Sequence, residues 1–134
     1  MTKLITIEGI GPVYEQKLQE VGVKTVEALL ERGATPQGRK ELAEGTGIGD
    51  ERILDWVNRA DLFRIKGVGE EYSDLLEASG VDTVVELARR NAENLYAKMT
   101  EVNAEKELVR RLPTLSQVSN WIEQAKELPR RISY

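Results

Sequence analysis

One stretch of this chain occurs twice. The segment from Ile65 to Leu87 repeats the segment from Ile7 to Leu29, 58 positions earlier. Ile7, Gly9, Gly11, Tyr14, Leu18, Gly22, Val23, Thr25, Val26 and Leu29 all have identical counterparts, ten identities in 23 positions. Such an internal repeat constrains the fold more than any local pattern, because both copies are expected to form the same supersecondary unit.

The physics of that unit can be read from its residues. Gly9-Ile10-Gly11 and Gly67-Val68-Gly69 each place two permissive residues around one apolar anchor, the composition of a sharp turn with positive φ. Tyr14, Leu18 and Val21 fall at i, i+4 and i+7, and Tyr72, Leu76 and Ser79 keep that spacing, which predicts a helix after each turn with one buried face. Gly22 and Gly80 are placed to end those helices. Thr25 and Thr83 are placed as N-caps of the next ones, the second with Glu86 three residues on as a capping box.

The rest of the chain carries the same kind of punctuation. Leu4 and Ile5 are expected to pack beneath the first turn. Thr35-Pro36 reads as a capped restart with proline at N1, and the helix that follows carries Leu42 inward and is expected to stop at Gly45. Gly47-Ile48-Gly49 is a third glycine turn, with Asp50 the expected N-cap of a helix burying Ile53, Trp56, Val57 and Ala60. In the second copy Asn91 caps a helix bearing Leu95, Met99 and Val102. The third turn has no counterpart there; Asn103 to Pro113 reads as a charged connection with a helix around Ala104 to Arg111. Thr114 and Gln117 form a capping box for the last helix, with Leu115, Val118, Ile122 and Ala125 as its buried stripe. Trp121 aligns with Trp56 at an offset of 65, seven more than 58, so an insertion lies where the third turn was lost. Pro129 ends that helix, and Arg130 to Tyr134 is expected to be a loose basic tail. The division is two lobes, residues 1–61 and 62–134.

Composition narrows the chemistry. With neither cysteine nor histidine, a thiolate metal site, a disulfide framework and histidine-based acid–base catalysis all lack their side chains, and no metal or cofactor is expected. The apolar runs are too short for a membrane span, and Met1 to Thr6 is not a basic region leading into an apolar core, so a soluble, cytoplasmic protein is expected. The net charge of −4, from 19 basic and 23 acidic residues, is the wrong sign for a surface dominated by phosphate contacts, so local patches must carry any nucleic-acid binding.

Ile65-Lys66-Gly67-Val68-Gly69, Leu76 and Gly80-Val81-Asp82-Thr83-Val84 resemble tandem helix-hairpin-helix domains. The chain is most similar to a family of uncharacterised bacterial proteins catalogued as a domain of unknown function and related to that superfamily. The resemblance covers nearly the whole chain and takes in Thr35-Pro36, Trp56 and Leu112-Pro113. It implies an all-α fold of tandem helix-hairpin-helix repeats in two pseudo-symmetric lobes, similar to SAM-like domains. It also implies either sequence-independent grip on nucleic-acid phosphates by hairpin amides or a protein-interaction module. Superfamily members that bind DNA usually carry Lys or Arg just beyond the second glycine, where this chain has Pro12-Val13, Asp50-Glu51-Arg52 and Glu70-Glu71.

A glycine turn leading into a helix N-terminus presents successive amides to an anion, helped by the helix dipole. The candidate nucleic-acid-binding residues are therefore Gly9, Ile10, Gly11, Gly47, Ile48, Gly49, Gly67, Val68 and Gly69, with Arg52, Arg59, Arg64 and Lys66 supplying charge. The same glycines also serve ordinary tight helix connections, and acids in a first turn suit the dipole. The pairs Arg39-Lys40, Arg89-Arg90, Arg110-Arg111 and Arg130-Arg131 read first as solvated helix faces. Tyr14, Tyr72, Trp56 and Trp121 read as core. A lysine nucleophile would have to be Lys17 or Lys66, neither set in a recognisable pocket motif, so a non-enzymatic protein is expected. The two expected activities are weak binding of DNA or other nucleic acid and a protein–protein scaffold.

Overall fold

The computed structural model describes residues 2–134; Met1, the start of the expected lead-in, lies outside the described residues. Among the described residues the fold is all-α, with eight α-helices, one short 3-10 turn at Leu4–Thr6 and a single isolated bridge between Lys3 and Thr25. The chain divides into two compact units, Met1–Asp61 with Arg131–Tyr134, and Leu62–Arg130.

The first unit holds α1 (Pro12–Glu20), α2 (Val26–Arg32), α3 (Pro36–Thr46) and α4 (Asp50–Leu62), the last ending at the boundary. The predicted caps form: the Thr25 hydroxyl accepts from the Ala28 amide at 3.1 Å and the Thr35 hydroxyl from the Gly38 amide at 3.0 Å, with Pro36 harmless at N1. α1 packs on the 3-10 turn and on α3, and α2 packs on α3. Leu4 is fully buried while Ile5 is 49% exposed, because neighbouring side chains in a 3-10 turn leave it in different directions. Two boundaries differ from expectation. α3 runs past Gly45 to Thr46 and is closed by Gly47 in the left-handed region, φ 74°, whose amide donates to Ala43. Asp50 lies inside α4, since the Ile53 amide bonds back to the Gly49 carbonyl at 3.1 Å.

The second unit holds α5 (Glu70–Ala78), α6 (Val84–Ala88), α7 (Ala92–Lys106) and α8 (Leu115–Glu127). α6 and α7 pack on α8, and α5 on α7. Asn91 caps α7, and Thr114 with Gln117 forms the expected capping box. Thr83 caps α6 through the Glu86 amide, but the Glu86 carboxylate pairs with Arg90 at 3.0 Å. The separate helix expected at 104–111 does not form. α7 absorbs its beginning and stops where Glu107 turns left-handed, φ 49°. Beyond it the Asn103 side chain accepts from the Val109 amide at 3.0 Å and donates to the Val109 carbonyl at 3.3 Å, holding a non-helical connection whose Val109 is buried. Leu115, expected on the buried stripe, is 40% exposed in the first turn of α8, ahead of the packed face at Val118, Trp121, Ile122 and Ala125.

Nor is the C-terminal segment loose. Ile132 is buried, the Ser133 amide donates to the Ala34 carbonyl at 2.8 Å, and the Tyr134 hydroxyl donates to Asn58 at 2.8 Å. Charge suggested a solvated tail, but Ile132 and the backbone groups of Ser133 find partners in the first unit.

Within each unit the glycine turn rests on a tryptophan. Gly9 and Gly67 both take positive φ, 97° and 96°, and a Cβ added to them would lie 3.2 Å from Trp56 Nε1 and 3.0 Å from Trp121 Nε1. Tyr14 packs beside Trp56 and Tyr72 beside Trp121, each with ring centroids 5.2 Å apart. Arg32 donates to the Val21 carbonyl at 2.9 Å and Arg90 to the Gly80 carbonyl at 2.8 Å, closing the ends of α1 and α5 with guanidinium groups that suit a helix C-terminus.

Three outcomes are expected. Trp56→Ala and Trp121→Ala should each cost about 3–5 kcal/mol, the range for deleting a buried aromatic ring, read by chemical denaturation. Gly67→Ala should cost more than about 1 kcal/mol, because the left-handed turn and the tryptophan edge both oppose a methyl group. Glu27 accepts from the Thr2 amide at 3.0 Å and the Thr2 hydroxyl at 2.9 Å. Burial alone raises its carboxyl, but these hydrogen bonds, with its own amide and the charge of the N-terminus, hold it below the usual carboxylate value. A depressed value means the anchorage is present above the ordinary carboxylate range and is lost as pH falls through the folded value. Protection of the Val26 amide, which donates to the Thr2 carbonyl at 3.0 Å, should therefore fall on acidification in the wild type. Glu27→Gln should remove that pH dependence.

Candidate functional site

The three glycine turns share a buried middle residue. The middle apolar residues, Ile10, Ile48 and Val68, are each about 5% exposed or less and face inward. Their amides are engaged in the turns: Ile10 donates to Ile7 at 3.1 Å, Val68 to Ile65 at 3.1 Å, and Ile48 to the Thr46 hydroxyl at 3.2 Å. The Gly47 amide is also taken, by Ala43 at 2.9 Å. These residues anchor the turns, and the second glycine and the first helical turn offer donors to a ligand. Gly11 and Gly69 stand as extended N-caps with no side-chain cap bond. Beyond them Pro12 removes one donor from α1, while Glu70 and Glu71 place two carboxylates in the first turn of α5.

Charge separates two clefts, one in each unit. In the first unit Gly47, Ile48 and Gly49 line a cleft with Tyr14, Lys17, Glu51, Arg52 and Asp55. Arg52 donates to the Tyr14 hydroxyl, and its guanidinium carbon stands 5.1 Å from the centre of the Tyr14 ring. Lys17 Nζ lies 5.9 Å from the same ring centre. The ring's negative face thus gathers two cations beside the glycine turn, balanced by the two carboxylates of Glu51 and Asp55. In the second unit Gly67 and Gly69 line a cleft with Glu70, Glu71, Tyr72 and Arg110, where carboxylates outnumber the cation. There the Tyr72 hydroxyl donates to the Arg111 carbonyl at 3.1 Å.

The candidate cations are not gathered in one place. Arg52 lines the first cleft. Arg59 is half-buried and already engaged within the protein. Arg64 donates to the Pro129 carbonyl at 2.7 Å, just past the end of α8. Lys66 is exposed, and its backbone is fastened on both sides by Gln124: its amide donates to Oε1 at 2.9 Å and its carbonyl accepts from Nε2 at 3.1 Å. Among the paired arginines, Arg39 and Arg90 are committed to internal contacts. The sequence marks Lys17 only as a candidate nucleophile, although its i, i+3 spacing from Tyr14 puts both on one helix face. The sequence shows Arg110 only as half of a charged pair; its place beside the Gly67 turn follows from the path of the connection after α7.

Among the described residues no group of His, Cys, Asp or Glu is arranged to hold a metal ion. No helix among them is long and apolar enough to cross a membrane.

No curated protein and no solved structure matches the chain. A family model described as "Domain of unknown function (DUF4332)" matches residues 8–128. That span runs from the residue before the first glycine turn to the end of the last helix, and the chain therefore belongs to the DUF4332 family.

Proposed function

We propose that this chain is a non-enzymatic, cytoplasmic tandem helix-hairpin-helix protein that binds nucleic acid weakly and without sequence preference. The observation that carries the reading is the first-unit cleft, where Lys17 and Arg52 meet over Tyr14 beside the Gly47-Ile48-Gly49 turn. A phosphate there would have two cations and the orphan amides at the start of α4 within one concave surface. The repeat arrangement is supported by the matched turn, tryptophan and tyrosine contacts in residues 1–61 and 62–134. A protein-interaction scaffold is the second reading, favoured by Glu70 and Glu71 at the Gly67-Val68-Gly69 turn, which repel a phosphate and suit a basic partner surface.

Binding should fall near the non-specific range of about 10⁻⁴–10⁻⁶ M for duplex or single-stranded probes, read by anisotropy over a salt series. Each neutralised phosphate adds about 0.9 to the log–log salt slope, so Arg52→Ala or Lys17→Ala should lower the slope by about one unit each. Replacing Glu70 and Glu71 by Lys should tighten binding by removing repulsion. If the wild type shows no salt-sensitive binding at low ionic strength and the double lysine variant gains none, the phosphate reading fails and the scaffold reading stands in its place.

A further inference from the structure

The contacts made by the last residues have the character of a bound peptide. Ser133 is held on both sides of its backbone: its amide donates to the Ala34 carbonyl at 2.8 Å, and its carbonyl accepts from Arg39 Nη2 at 2.8 Å. Its hydroxyl also reaches Ala34, at 3.3 Å. Arg39 is only 8% exposed, and its other terminal nitrogen donates to the Gly33 carbonyl at 2.8 Å, so the guanidinium bridges the α2–α3 corner and the segment. On either side of Ser133 the side chains are placed as well. Ile132 is 3% exposed, whereas the Tyr134 ring is 62% exposed, lies 5.7 Å from the Arg39 guanidinium carbon and bonds through its hydroxyl to the buried Asn58. The corner that receives the segment is tightly built: a Cβ on Gly33 would come within 2.3 Å of Val57.

This is the way an extended peptide is recognised, with main-chain bonds holding one residue and its neighbours fitted on either side. We infer that the corner formed by Gly33, Ala34, Arg39 and Asn58 is a peptide-binding site whose ligand is the chain's own Ile132-Ser133-Tyr134 segment, and that this ligand is detachable. Four residues at most make the contact, and the amide, guanidinium and hydroxyl bonds are individually modest. The covalent tether makes docking intramolecular, at an effective concentration on the order of millimolar for a short connection, so a site of millimolar intrinsic affinity stays filled in cis. The reading is independent of nucleic-acid binding, because neither Lys17 nor Arg52 takes part.

The test compares the full chain with a variant lacking Arg131–Tyr134, by amide exchange and thermal unfolding, with and without the synthetic peptide Arg-Arg-Ile-Ser-Tyr at millimolar concentration. Truncation should lower protection around Gly33 to Arg39 and at Asn58 by at least tenfold while leaving α6 and α8 unchanged. The peptide should restore that protection saturably, as a ligand of the folded state must, and a scrambled peptide should not. Tyr134→Phe in the full chain, which removes only the hydroxyl, should give a smaller loss in the same place and keep the test available if the truncated chain does not fold. Unchanged protection in both variants overturns the inference. So does a loss that the peptide fails to restore, which would make the segment ordinary packing, and so does restoration by the scrambled sequence.

Discussion

Each unit is held at one contact, the edge of a tryptophan ring against a glycine that has no Cβ. Trp56 and Trp121 are nearly fully buried, and their indole nitrogens occupy the space where Gly9 and Gly67 would otherwise carry a side chain. The tight turn needs a residue that accepts positive φ, and the ring needs a flat backbone surface; glycine satisfies both demands at once. The tyrosine on the following helix then packs edge-to-face or tilted against the ring, and such pairs add to simple area burial. The turn, the start of α1 or α5 and the middle of α4 or α8 are thereby fixed relative to one another within each unit.

The anchoring of the turns decides what they can offer a ligand. Anchoring the middle residue of each turn consumes its amide and buries its side chain, so the anion-binding capacity passes to the second glycine and the helix start. The clefts of the two units then differ: the first borders the Gly47-Ile48-Gly49 turn, which the second unit lacks, and the second borders Gly67 and Gly69. Tyr14 has Lys17 and Arg52 near its ring beside a glycine turn, whereas Tyr72 is bonded to a backbone carbonyl and shares its cleft with Glu70 and Glu71. With interaction energies falling as the inverse of distance, two carboxylates at an N-terminus outweigh the partial charge of the helix dipole. The net charge of the chain hides this asymmetry, since charges over the whole surface do not report those facing one turn.

The arginines show how a charged side chain can serve the fold. Arg32 and Arg90 close the C-terminal ends of α1 and α5, Arg64 meets a carbonyl just past α8, and Arg39 holds a corner and an extended segment together. A planar guanidinium with five donors can satisfy several carbonyls while its stem packs against apolar neighbours. Adjacent basic residues in the sequence therefore need not form a basic surface, and Arg90 is taken up internally while Arg89 is exposed.

Much of the helical pattern was legible in the chain because caps, glycine stops and apolar spacing are local. Thr25, Thr35, Thr83, Asn91 and Thr114 each act through an amide three residues on, so four residues of sequence contain the whole interaction. Apolar spacing likewise set Leu18, Leu42, Ile53, Trp56, Met99 and Trp121 inside. What failed was decided by partners beyond the reach of one helical turn. The connection after α7 leaves the helix because Asn103 and buried Val109 give it other bonds, and the basic C-terminal segment is ordered because Ala34, Arg39 and Asn58 receive it across 76 to 99 positions. The gathering of Lys17 and Arg52 over one ring is of the same kind, joining α1 to α4 across a span that no local spacing encodes. Sequence by itself determined the capped starts of α2, α3, α6, α7 and α8, since those bonds close within a turn. Only the tertiary structure decided which charges face a cleft and which are spent on carbonyls, because a side chain's partner is set by what packing brings within about 3 Å of it.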